Sequence, residues 1–218
     1  MFGLLGQKNE GLLAIAVAEV EGVELIGEAG ADRRELANGE VGECLGKIGS
    51  GSRESYTGYA DKAATLTRIW FLDPATRMTP HLKYAQAIIG VNDGRGTGIL
   101  EALNLSVAVD ALGLLADSKA WPKADQKALK EWLRTYHDWL IQSDAGKDEN
   151  NAKNNHGTFY DVQAVRIALV IGRLDPAKRI LEEAKQRRIA VQIDPEGKQP
   201  LELDRTTSFS YSRFNLFA

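Results

Sequence analysis

WPKADQKALKEWLRTYHDWLIQ, residues 121–142, decides the fold class. Leu129, Trp132, Leu133, Tyr136, Trp139 and Leu140 recur at three- and four-residue intervals, the period that lays one apolar stripe along a helix. Lys130, Glu131 and Arg134 fall off that stripe, toward solvent. Pro122 suits a first helical position, where its missing N–H costs no hydrogen bond and its fixed φ is already helical. Upstream, Leu103–Leu115 reads as a buried helix with Val107, Ala108, Ala111, Leu112 and Leu115 inward. So short a connection makes the two pack antiparallel, as an αα-hairpin.

The same period extends to both sides. Tyr59, Ala63, Leu66 and Trp70 fall on one helix face. Asp73 to Gly98, with two prolines and four glycines, reads as a long loop, and loops of that length in compact domains usually carry function. A polar loop, Ser143–Asn155, leads into a helix carrying Val162, Val165, Leu169 and Val170. Asp175-Pro176 reads as an N-cap and first position opening a helix with Ile180, Leu181 and Ala184 inward. Beyond Arg188 the alternation Ile189, Val191, Ile193 and the turn Asp194–Gly197 suggest a short strand or β-hairpin. The sum is an all-α protein of antiparallel helix pairs with long loops at one end. That suits an α/α solenoid or toroid, and periodicity does not choose between them. Residues 1–55 differ: they are glycine-rich, lack tryptophan and hold no helical period, with Gly46–Ser55 as a linker.

Composition narrows the function classes. Hydrophobic residues make up 44% of 218, enough for a real core. With 27 basic and 30 acidic residues the formal charge is −3, which argues against a dedicated nucleic-acid binder but leaves room for a locally basic groove. One cysteine, Cys44, excludes an intramolecular disulfide and a cysteine-based zinc cluster. The apolar run Leu12–Ala18 is short, ends at Glu19 and makes a poor signal peptide. No apolar stretch reaches the roughly 20 residues that span a membrane.

Most chemical motifs fail. Gly94-Arg95-Gly96-Thr97-Gly98 is neither a dinucleotide fingerprint nor a P-loop. His81, His137 and His156 lie far apart and outside any zinc spacing, so no metal is expected; His137 reads as surface or packing. Two segments remain. Lys153-Asn154-Asn155-His156-Gly157-Thr158-Phe159-Tyr160-Asp161 sets two amides, an imidazole and a phenol where a loop meets a helix. Asn and Thr also favour such helix starts for capping alone. In Leu201–Tyr211 the plain reading of Arg205 and Tyr211 is a surface arginine and a core tyrosine.

Together with their neighbours these segments resemble the alginate lyase family of polysaccharide lyases. The resemblance is carried by Trp70–Met78 (WFLDPATRM), Tyr84–Ile88 (YAQAI), Asn92–Gly96 (NDGRG), Lys153–Thr158 (KNNHGT) and Gln199–Leu203 with Arg205 (QPLEL). These blocks run in order from about Tyr59 to Leu216. The resemblance implies an (α/α) toroid over residues 56–218, preceded by a divergent segment, 1–55. Phe159 stands where the family commonly has tryptophan, and residues 1–55 contain no tryptophan-rich substrate-facing segment. The expected toroid is accordingly incomplete, truncated at both ends.

Members of this family cleave 1,4-linked polyuronates by β-elimination, so the resemblance implies an anionic polysaccharide as substrate and no cofactor. It also implies a periplasmic or secreted enzyme. By motif position it makes Asn155, His156, Arg205 and Tyr211 catalytic. A proton beside a carboxylate is barely acidic, and its loss needs that carboxylate neutralised and the enolate-like charge stabilised. Asn155 and Arg205 are assigned that task, and Tyr211 the acid to the leaving oxygen. Either His156 or Tyr211 is the base; an imidazole titrating near about 6.5 is largely neutral at working pH. Asn154, Tyr84, Gln86, Arg95 and Tyr160 are the expected substrate contacts. Two other readings remain: a non-catalytic carbohydrate-binding remnant, and a glycoside hydrolase, which needs two opposed carboxylates, here Asp93 and Asp161.

Overall fold

The computed structural model describes residues 53–218, and side chains from Ala60 onward. The glycine-rich segment and the Leu12–Ala18 run lie outside the described residues, and so does the linker, except that its last residues, Arg53–Ser55, are already helical. The elements are α1 (Arg53–Phe71), a 3-10 run (Gly96–Ala102) continuing into α2 (Leu103–Leu112), and α3 (Lys123–Gln142). They continue with α4 (Asp144–Asn151), α5 (Asn155–Val170), α6 (Leu174–Ala184), a π turn (Lys185–Ile189), α7 (Ala190–Gln192), α8 (Pro200–Leu203) and α9 (Ser208–Asn215). No strand occurs among the described residues; one isolated bridge joins Ile88 to Asn92. The described chain divides into two compact units, residues 53–78 with 107–129, and residues 79–106 with 130–218.

In the first unit α1 buries Ala63, Ala64, Thr67, Trp70 and Phe71. That is the face expected from the spacing, with Leu66 half-buried at its edge. Arg68 organises the unit's polar side. It pairs with Asp125 at 2.6 Å, donates to the Ala120 carbonyl and lies 5.5 Å from the Trp121 ring centre. Pro122 stands one residue ahead of α3, where its carbonyl accepts from Gln126 N at 3.1 Å.

The second unit is built around α5. Phe159, Ala164, Ile167 and Ala168 are buried, and Val165 and Ala168 pack against Ala177 and Ile180 of α6. Phe159 meets Phe214 of α9 with ring centres 4.4 Å apart. From the α3 stripe, Tyr136 stacks on Trp132 at 5.6 Å, and its hydroxyl donates to Gln163 Oε1 at 2.8 Å. Gln163 Nε2 in turn donates to the Ile99 carbonyl, so the Tyr136 hydroxyl and both ends of the Gln163 amide meet partners.

Four local expectations are corrected. Ile189–Ile193 is not a strand: Ile189 and Val191 are more than half exposed, whereas Arg188 and Gln192, four apart, are buried, which is the helical period. The turn at Asp194–Gly197 does form, with Gly197 N donating to Asp194 O. Ser143–Asn155 is not a loop, because Ser143 caps Gly146 N and starts α4, leaving only Ala152–Asn154 between helices. Helix α6 starts at Leu174, ahead of the expected Asp175-Pro176 cap, and Leu181 is exposed. Gly96–Leu115 is, by length and composition, apolar enough to cross a membrane; over half of it is buried inside the protein, as in a core helix.

His137, on α3, is 2% exposed, and its Nδ1 accepts from Arg173 at 2.9 Å. Burial first, and the Arg173 charge second, hold its imidazole below the ordinary value. The unfolded chain therefore takes up protons, from about pH 6.5 downward, that the folded chain refuses. Stability is full above that pH and falls as the solution is acidified. Asp138, held low by its hydrogen bond from Arg173, extends the same sign to more acid solution. Urea midpoints at pH 7.5 and 5.5 check this: the midpoint is expected to drop in acid, and His137→Gln to flatten the drop.

Candidate active site

Asn154 opens α5. Its Oδ1 accepts from His156 N at 3.3 Å, and its carbonyl accepts from Gln192 Nε2 at 3.1 Å. This is the capping role that asparagine performs at a helix start. Asn155 is fully buried, and its backbone N–H donates to Glu202 Oε1 of α8 at 2.7 Å. Its side-chain amide bonds to no described group. An unpaired buried amide costs on the order of 1–3 kcal/mol, and such costs concentrate where function requires them. His156 follows, partly exposed, with Nδ1 2.7 Å from Glu149 Oε1.

Two polar frames hold this junction. Arg188, on the π turn, makes a two-pronged ion pair with Asp161 at 2.8 and 3.1 Å and donates to the Asn150 and Ala152 carbonyls. A Cβ on Gly157 would lie 2.3 Å from Ala152 O and 2.4 Å from Arg188 Nη1. Gly157 is therefore glycine because the guanidinium passes over it. On the other side Asn215 Nδ2 donates to both Gln192 and Gln199, and Thr158 donates to Gln192. This second frame fixes the approach of α9 to the start of α5.

Arg205 and Tyr211 come together between α8 and α9. The guanidinium carbon lies 3.9 Å from the centre of the Tyr211 ring. Among the described residues Arg205 has no carboxylate partner and the Tyr211 hydroxyl no hydrogen bond, so both polar ends are available. Tyr211 lines a pocket with Thr207, Phe209, Ser210, Arg213, Phe214 and Phe217. The core-tyrosine reading is thus displaced by a half-buried one.

The expected substrate contacts divide. Arg95 N bonds Ala85 O at 3.1 Å, so the loop folds back and gathers Arg95 with Tyr84 and Gln86. Gly94 allows that return: its φ is +135°, and a Cβ there would lie 2.0 Å from Lys83 O. Gln86 Oε1 accepts from Thr97, and Tyr84, 60% exposed, has His81 at 5.9 Å and Lys83 over its ring. Tyr160 is a correction. It is 3% exposed, its hydroxyl donates to Leu140 O at 3.2 Å, and burial, with Asp161 second, pushes its phenol up to about 12. It is a core residue. Tyr160→Phe should cost about 1 kcal/mol of stability and leave catalysis unchanged, read by thermal unfolding beside a rate assay. The hydrolase pair also dissolves, because Asp161 is consumed by Arg188 and Asp93 is exposed on the loop.

Residues 49–218 match the alginate lyase family. The chain belongs to that family. Its fold class is that family's α/α toroid class, as the resemblance implied; the helix pairs alone gave an all-α protein, solenoid or toroid. A crystal structure of an alginate lyase from Bacteroides ovatus superposes with a TM-score of 0.73 at 41% identity, covering 80% of this chain and 46% of that one. The chain thus spans under half the length of that relative. No significant match is found among curated proteins. The residues that sequence reading missed are the buried supports: Glu149, Arg188, Gln192, Gln199, Glu202 and Asn215. Among the described residues no cluster of metal-ligating side chains occurs.

Proposed function

We propose that this alginate lyase family chain is a polysaccharide lyase that cleaves a 1,4-linked polyuronate, alginate or a glucuronan-like chain, by β-elimination. One observation carries the reading. Arg205, without a carboxylate partner, stacks on Tyr211 just beyond Glu202, which holds the backbone next to His156.

In the reaction a base removes the C5 proton, the freed electron pair forms the C4–C5 double bond, and the C4–O4 bond breaks. Arg205 pairs with the uronate carboxylate, lowering the cost of the enolate-like charge. Asn155 is assigned to the same carboxylate by motif position alone; its amide is buried and bonds to no described group. Tyr211 protonates the departing oxygen, and either His156 or Tyr211 takes the C5 proton. Tyr84, Gln86 and Arg95 supply an exposed hydrogen-bonding loop for further sugar units. A polymeric substrate of this kind suits a periplasmic or secreted enzyme, and that placement belongs to the same proposal.

The test is incubation with a panel of polyuronates, with and without chelator, following ultraviolet absorbance. An unsaturated uronate that accumulates equally in both is the expected result. Polyuronate binding without product would instead identify a non-catalytic binding module.

A further inference from the structure

We propose that Glu149 is a positioning residue that fixes the tautomer of His156, holding its Nδ1–H and leaving Nε2 as the nitrogen that handles a proton at the substrate. The inference rests on the lyase reading for what the proton transfer achieves, but the tautomer itself is a property of the free protein.

Glu149 is 1% exposed, and its Oε1 lies 2.7 Å from His156 Nδ1. A carboxylate accepts hydrogen bonds and does not donate them, so the pair is satisfied only when Nδ1 carries the proton. His156 Nε2 then has no proton in the neutral ring. That atom bonds to no described group and is not hidden from solvent. A base needs such a lone pair within reach of substrate.

The mount is rigid. Ser143 caps α4 through Gly146 N, and a Cβ on Gly146 would lie 1.8 Å from Leu140 O, so the helix is seated closely on the end of α3. Next to Glu149, Asn150 is held by Arg187 and Arg188. The other charged groups around the junction are already engaged: Glu202 with Asn155 N, and Asp161 with Arg188. Glu149 is therefore the carboxylate that faces the imidazole. A merely structural role explains it poorly. Taking a carboxylate out of water is costly, and the remaining oxygen, Oε2, bonds to no described group. Fixing an imidazole by a buried acceptor on its far nitrogen is a recurrent way to set which nitrogen reacts.

The test is nitrogen-15 NMR of the imidazole ring in the whole chain, above the pH at which the ring is protonated, for wild type and Glu149→Gln. In wild type, Nε2 is expected to resonate as an unprotonated nitrogen and Nδ1 as a protonated one. In Glu149→Gln a population with the proton on Nε2 should appear, kcat on the polyuronate that wild type cleaves should fall on the order of 10²-fold, and KM should hold. A protonated Nε2 in wild type overturns the proposal, even if the variant fails to fold. An unchanged ring spectrum in Glu149→Gln overturns it as well. Because the spectrum needs no substrate, failure of wild type to cleave any polyuronate counts against the lyase reading, while the tautomer still decides this one.

Discussion

Tyr211→Phe removes unsaturated product, with kcat reduced by about 10²–10⁴-fold, and leaves the chain as stable as before. The two halves of that expectation come from the same geometry. The substitution deletes one oxygen from a half-buried ring. That oxygen bonds to no described group, and the ring keeps its stack on Arg205. No buried partner is orphaned, so no desolvation penalty arises. His156→Ala is expected to remove product as well, but with a stability cost of about 1–3 kcal/mol. It strips Glu149 of its imidazole and leaves a buried carboxylate unpaired. Rates by ultraviolet absorbance beside urea unfolding separate the two. Full activity in both variants would remove the site assignment.

The largest stability effect is expected at Arg188. Arg188→Met leaves Asp161 as an unpaired carboxylate at 7% exposure and frees the carbonyls of Asn150 and Ala152. Breaking one partner from a buried pair costs about 3–5 kcal/mol. The double replacement Asp161→Leu with Arg188→Met should recover part of that loss, because no charge is then stranded. Denaturant unfolding of the single and double variants checks both statements. A single variant within about 0.5 kcal/mol of wild type would contradict the account of this frame. Gly157→Ala addresses the frame from the other side, since its methyl group would meet the same guanidinium; overpacking there should cost about 1–3 kcal/mol.

Much of the fold was legible because apolar periodicity reports which helix faces are buried. The α3 stripe, the α1 face and the α2 interior all follow from it. It failed where burial is polar. On α8 Leu201 and Leu203 are exposed while Glu202 is buried. Around the π turn, Ile189 and Val191 are exposed while Arg188 and Gln192 are inside. A rule that puts apolar residues inward reads such segments inverted, which is how a helical turn was expected as a hairpin. The polarity of Ser143–Asn155 misled in the same way: Ser143 is a cap and Glu149 a buried acceptor, and both look like loop residues on paper.

Of the candidate site, the motif residues stood out in the sequence and the groups that hold them did not. Asn155, His156, Arg205 and Tyr211 stood out by motif. Glu149 lies seven residues before its imidazole and Glu202 forty-seven after its amide, distances over which local pattern carries no signal. Tyr160 was misplaced because it follows the motif directly. Four positions after His156 it shares that side of the helix, but one turn further along, where it is buried with its hydroxyl on the Leu140 carbonyl.

β-Elimination takes no oxygen from water, whereas hydrolysis must, so mass spectrometry of polyuronate products formed in oxygen-18 water separates a lyase from a hydrolase. The expected products are oligouronates whose new non-reducing end is one water lighter than a saturated sugar, with no heavy oxygen at the cleaved linkage in samples quenched before the reducing end exchanges with solvent. Saturated products carrying oxygen-18, or an intact polymer with every polyuronate tried, would contradict the lyase reading.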